Sequence, residues 1–139
     1  KLPGLAGGTA PTGGSTATNG FSGRLMWETG GRVAFYFYGV TGGTGAIGTG
    51  GYGTHWYWAA DAVLKRGQWN TIEVLYDVDT GETVGYLNGV EKARQTLHYA
   101  WKNIDVVQFS TFFGGQGSYY MPKKTETMSF RNMTVKKER

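Results

Sequence analysis

Two alternating segments, "FSGRLMW" (21–27) and "RVAFYFYGV" (32–40), limit what this chain can fold into more than any other feature. Successive side chains of a strand point to opposite faces. Phe21, Gly23, Leu25 and Trp27 therefore share one face of the first segment, and Val33, Phe35 and Phe37 share one face of the second. Ser22 and Arg24 on the first, and Tyr36 and Tyr38 on the second, point the other way. A three-residue loop, Thr29–Gly31, sets Glu28 opposite Arg32, Arg24 opposite Tyr36 and Ser22 opposite Tyr38. A two-residue Gly30-Gly31 loop would put Arg24 on the face of Phe37 and mix polar with apolar on both faces, so the first register is expected. Cβ atoms of opposed residues lie about 5 Å apart, so the four polar side chains form one tight patch.

The rest of the chain reads as more short strands. Further candidates are "HWYWAAD" (55–61), "GQWNTIEVLYDV" (67–78), "TVGYLNGVEKA" (83–93), "NIDVVQFSTFF" (103–113) and "ETMSFRNMTV" (126–135), for at least seven in all. The Asn-Gly pair at 88–89 is a strong hairpin signal. Residues 1–20 are Gly/Thr/Ser/Pro-rich and read as a loop. Residues 39–54 read as a flexible linker or lid, and one helical turn fits around 59–65. Phe109, Phe112, Trp69, Ile72, Val74 and Leu87 are expected in the core. With 24 glycines in 139 residues, the chain is poorly suited to helix interiors, where each Gly costs about 1 kcal/mol relative to Ala. Short strands with turn punctuation predict one all-β domain, an antiparallel β-sandwich of jelly-roll type.

The chain has no cysteine, which excludes disulfides and thiolate metal sites. Its formal net charge of +4 suits a polyanion: acidic polysaccharide, nucleic acid or an anionic membrane. No apolar run of about 18 residues is present, and no signal peptide is visible. "GGTGAIGTGG" superficially suggests a phosphate loop, but no Lys-Ser/Thr follows it, so it reads as loop. The chain begins with Lys1 rather than Met and so reads as processed, cut or truncated.

The bland reading of the patch is cross-strand packing of Arg on Tyr. Its chemistry supports more. An arginine can clamp and neutralise a carboxylate, and tyrosines near a cation can have lowered pKa values and move protons. There is no obvious acid pair for glycoside hydrolysis on this face and no Ser-His-Asp order with a nucleophile elbow. Arg and Tyr with a nearby Lys point to β-elimination from a uronic acid. That reaction needs the C6 carboxylate neutralised, the C5 proton removed and the leaving O4 protonated.

"KLPGLAGG" (1–8), "FSGRLMW" (21–27), "FYFY" (35–38), "GQWNTIE" (67–73), "LNGV" (87–90) and "FSTFFGG" (109–115) together resemble polysaccharide lyase family 14, in order along the whole chain. The resemblance implies a β-jelly-roll and cleavage of alginate or glucuronan. The family's lysine in K-L-P-G, its S-x-R pair and its Y-x-Y pair match Lys1, Ser22, Arg24, Tyr36 and Tyr38. Lys1, Arg24, Tyr36 and Tyr38 are then the catalytic candidates. Ser22, His55 and Gln116 are the substrate-binding candidates. Acid and base remain unassigned among Tyr36, Tyr38 and Lys1. No metal or cofactor is expected.

The partner expected is an acidic polysaccharide, not nucleic acid or membrane, and the location secreted or periplasmic. Relatives carry more chain before K-L-P-G, so residues 1–139 are expected to be the C-terminal part of a longer jelly-roll domain. An N-terminal fragment of the same protein would then complete the sandwich. Tyr52, Trp56, Tyr57 and Trp58 are candidates for stacking sugar rings, although alternation sends about half of them into the core. Tyr119 and Tyr120 are candidates for the cleft, and Lys123 and Lys124 for its rim. The competing reading is a non-catalytic carbohydrate-binding module on the same sandwich.

Overall fold

The first hairpin forms in the register its alternation requires. In a computed structural model that describes residues 1–9, 18–48, 53–115 and 117–137, strand β2 (Gly20–Trp27) pairs antiparallel with β3 (Val33–Tyr38). Ser22 lies opposite Tyr38 and Arg24 opposite Tyr36. Gly30 and Gly31 turn the chain with φ of 77° and 85°, a left-handed conformation that residues with a Cβ avoid.

The other strands are β1 (Gly4–Gly8), β4 (Val40–Gly42), β5 (Thr54–Tyr57), β6 (Ile72–Tyr76), β7 (Glu82–Leu87), β8 (Val90–Tyr99) and β9 (Val106–Gln108). They form a five-stranded sheet of order β5-β3-β2-β1-β9 and a four-stranded sheet of order β4-β8-β7-β6. All pairings are antiparallel. The chain is an all-β sandwich, as its alternation predicts. The Asn88-Gly89 hairpin is present, with φ of 52° and 79°.

The core lies between the sheets. Phe21, Phe35, Phe37 and Trp56 from the first sheet are wholly or almost wholly buried, as are Val84 and Leu97 from the second. The Phe21 ring meets Tyr99 edge-on at 5.0 Å, and Phe37 packs against Tyr76 at 5.5 Å. Burying aromatic area of this kind dominates the stability of a small domain.

Several expectations are corrected. Residues 4–8, read as loop, are a strand between β2 and β9. Propensity hides this because "GLAGG" lacks β-branched and aromatic residues. Its glycines instead allow close approach: a Cβ at Gly7 would lie 2.8 Å from Trp101 Cδ1. Residues 40–42, within the expected linker, pair with β8.

Residues 59–65 form no helix beyond a single turn, in which Ala62 N–H donates to Ala59 O at 2.8 Å. Leu64 N–H donates to Gly31 at 2.8 Å, and Val63 bridges to Arg32. Of 103–113 only 106–108 is strand, and 126–135 has no strand among the described residues. Phe109, Phe112 and Trp69 are not core: they are 56%, 46% and 52% exposed. Leu87 is buried, and Ile72 and Val74 pack at the core margin. Apolar character alone did not reveal that Phe109 follows the edge strand β9 and that Phe112 lies beside Lys1 and Arg24 on the open face.

Candidate functional site

The open face of the five-stranded sheet carries one row across all five strands. Gly4 of β1 pairs with Gln108 and with Arg24, Arg24 pairs with Tyr36, and Tyr36 pairs with His55. One step along, Ala6 pairs with Ser22 and Ser22 with Tyr38. Directly opposed residues of an antiparallel sheet share a face, so register alone brings Ser22, Arg24, Tyr36, Tyr38 and His55 together.

Lys1 joins them from outside the strands. Its main-chain nitrogen donates to the Phe112 carbonyl at 2.7 Å. Leu2 N–H donates to Leu25 O at 2.9 Å, which anchors the segment on β2. The Lys1 Nζ then lies 4.0 Å from the centroid of the Tyr36 ring and 5.5 Å from that of Tyr38. Gly114 makes room for it, since a Cβ there would sit 2.8 Å from Lys1 Cε.

The two tyrosines touch at their reactive ends, with hydroxyl oxygens 2.9 Å apart. Burial pushes the Tyr36 hydroxyl well above its usual pKa of 10.0, and the bond and charge of Tyr38 push the same way. The expectation of a lowered tyrosine pKa is therefore reversed at Tyr36: desolvation outweighs the nearby cation. Burial also pulls the Lys1 ammonium below its usual 10.5, opposed by Tyr38 and reinforced by Arg24.

Arg24 is held by the segment after β9. Its Nη1 donates to the Ser110 carbonyl at 3.2 Å and to Ser110 Oγ at 3.1 Å. Its guanidinium carbon lies 5.3 Å from the Phe112 ring centroid, and the Lys1 Nζ lies 5.5 Å from the same ring. Two cations thus flank one exposed aromatic ring. Ser22 is 2% exposed, far less open than the alternation implied, and its Oγ donates to Gln108 Oε1 at 3.2 Å.

Gln108, Ser110 and Phe112 were not read as site residues. The signal was available in "DVVQFST", where Val106, Gln108 and Ser110 alternate, but nothing local showed which face they join.

His55 stacks on Tyr36 at 5.8 Å and meets Tyr57 edge-on at 5.5 Å. Burial lowers its pKa below 6.5, while the Glu28 carboxylate acts the other way. Trp56 and Trp58 are buried and do not form a sugar platform, whereas Tyr57 is on the open face. Gln116 and Tyr52 lie outside the described residues. Tyr119 and Tyr120 are exposed in a single 3-10 turn. The hollow lined by Phe113, Gly115, Tyr120 and Met121 shares no residue with the row. Lys123 and Lys124 are exposed.

Chemically, the row offers a guanidinium for a carboxylate, a phenol that keeps its proton, and an amine whose proton is held less tightly than usual. Residues 1–133 match the family model of polysaccharide lyase 14. No curated protein and no solved structure matches the chain.

Proposed function

Because the chain belongs to polysaccharide lyase family 14, we propose that it cleaves a uronate-containing polysaccharide, alginate or glucuronan, by β-elimination. The observation that carries this reading is the convergence of Lys1, Arg24 and the Tyr36–Tyr38 hydroxyl pair on one face. Arg24 binds the uronate carboxylate and stabilises the enolate-like charge that develops as the C5 proton leaves. Its hold on Ser110 limits reorganisation when the substrate arrives.

Lys1 and Tyr38 are the candidates to take the C5 proton. The lowered pKa of Lys1 supports it as a base, since a larger fraction of the amine is unprotonated near neutrality. Tyr36 keeps its proton, which suits delivery to the leaving O4 directly or through Tyr38. Ser22, buried and bonded to Gln108, orients a sugar hydroxyl or the carboxylate through Gln108, and His55 extends the binding surface from Tyr36.

In the same proposal, residues 1–139 are part of a longer sandwich domain. The exposure of Val107, Phe109 and Phe130 supports a further segment of the same protein packing there. A polymeric substrate implies a secreted or periplasmic protein.

Tyr38→Phe tests the reading. The variant should lose turnover and keep affinity for the polymer. A protein whose polymer binding is unchanged and which shows no turnover before or after the substitution is a binding module instead.

A further inference from the structure

A second guanidinium stands on the same open face, four residues before Tyr36 on the hairpin side of β3. Arg32 is opposite Glu28, whose N–H donates to the Arg32 carbonyl at 3.0 Å. At about 3.3 Å per strand residue, Arg32 lies roughly 13 Å from the Arg24–Tyr36 row. Its guanidinium carbon sits 3.8 Å from the centroid of the Tyr57 ring. The Tyr57 hydroxyl donates to both Glu28 oxygens, each at 2.9 Å. Glu28 thus fixes Tyr57, and Tyr57 holds Arg32. The Arg32 side chain is exposed and forms no ion pair among the described residues.

The space between the two guanidinium groups has an aromatic floor. Tyr36 stacks on His55, and His55 meets Tyr57, at 5.8 and 5.5 Å; Tyr38 continues the row 5.3 Å from Tyr36 on the side away from Arg32. Such a floor suits sugar rings, and an uncommitted planar fork at its end suits a carboxylate. We propose that Arg32 is a second carboxylate-binding site, which takes a uronate of the same polysaccharide chain more than one sugar from the one held by Arg24. The proposal rests on the polyuronate reading above and deepens it: the protein selects chains that carry carboxylates repeatedly, and longer ones over shorter.

The test compares wild type, Arg32→Gln and Arg32→Lys on the shortest oligouronate that is turned over and on the parent polymer. Binding of the same ligands is measured by calorimetry. Arg32→Gln should raise KM and Kd for the polymer about three- to tenfold, as expected for one partly exposed charge-assisted contact. Its kcat, and its KM for the shortest substrate, should stay near wild type. The difference should shrink at high ionic strength, and Arg32→Lys, which keeps the charge and loses the planar fork, should recover only part of it. An unchanged polymer Kd in Arg32→Gln overturns the proposal, as does an equal loss on short and long ligands, which a merely structural role would give. If wild type turns over nothing, the lyase reading fails, and the polymer Kd values still decide the role of Arg32.

Discussion

Gly23 separates the two polar residues of the S-x-R pair, and the structure shows why that position has no side chain. It faces the core opposite Phe37. A Cβ built there would lie 2.8 Å from Tyr76 Cε1 and 3.0 Å from Phe37 Cε1. Phe37 has no exposed surface and is wedged among Phe35, Trp56, Tyr76 and Tyr99, so it has little room to yield. Gly23→Ala forces the Tyr76 ring outward.

Overpacking of this kind costs about 1–3 kcal/mol. Removing the backbone freedom of glycine from the unfolded chain returns about 0.4–1 kcal/mol. The expected net is a destabilisation of about 1–2 kcal/mol, or roughly 5 °C in Tm for a domain of this size, read by thermal unfolding. Tyr76→Leu in the same chain removes the clashing ring, so the double variant should show a coupling energy that offsets much of the Gly23→Ala loss. A Tm for Gly23→Ala equal to or above wild type would refute the packing argument. So would strict additivity with Tyr76→Leu.

Ser110→Ala removes one of the two hydrogen bonds that hold Arg24 and keeps the carbonyl contact. A loss of about three- to tenfold in kcat/KM is expected, in line with a partly exposed bond to a charged group; an unchanged value would mean that Ser110 does not position Arg24. His55 is held neutral by burial, so its folded pKa is below 6.5. The unfolded chain binds the proton more readily, so this contribution to stability is present above about pH 6.5 and is lost as pH falls through the lower folded value. Unfolding free energy measured across that range should fall less steeply in His55→Gln, and an identical slope would remove His55 from the account.

The site was legible in the sequence where strand alternation and one hairpin register decide it. Ser22, Arg24, Tyr36 and Tyr38 needed only a period of two and the length of the Thr29–Gly31 loop. Lys1 was not legible that way, because its place depends on the Leu2–Leu25 and Lys1–Phe112 main-chain contacts between segments remote in sequence. Gln108 and Ser110 were hidden for the same reason: β9 is three residues long and joins the sheet through β1. β1 itself was hidden by its glycines. Phe109 and Phe112 show the opposite failure, in which apolar character pointed to a core that does not extend to them.

Arg24, Lys1 and the tyrosine pair together are proposed to carry out β-elimination on a uronate. Ultraviolet absorbance of the C4–C5 double bond, conjugated to the carboxylate, tests it most directly, because hydrolysis produces no such group. Wild type and Arg24→Ala would be incubated with alginate, polymannuronate, polyguluronate and glucuronan, with folding of both proteins checked by circular dichroism. The expected result is a rise on at least one polymer that Arg24→Ala reduces by about a hundredfold or more, the scale for removing a group that stabilises developing charge. No rise on any polymer with folded wild-type protein, or a rise that Arg24→Ala leaves intact, would contradict it.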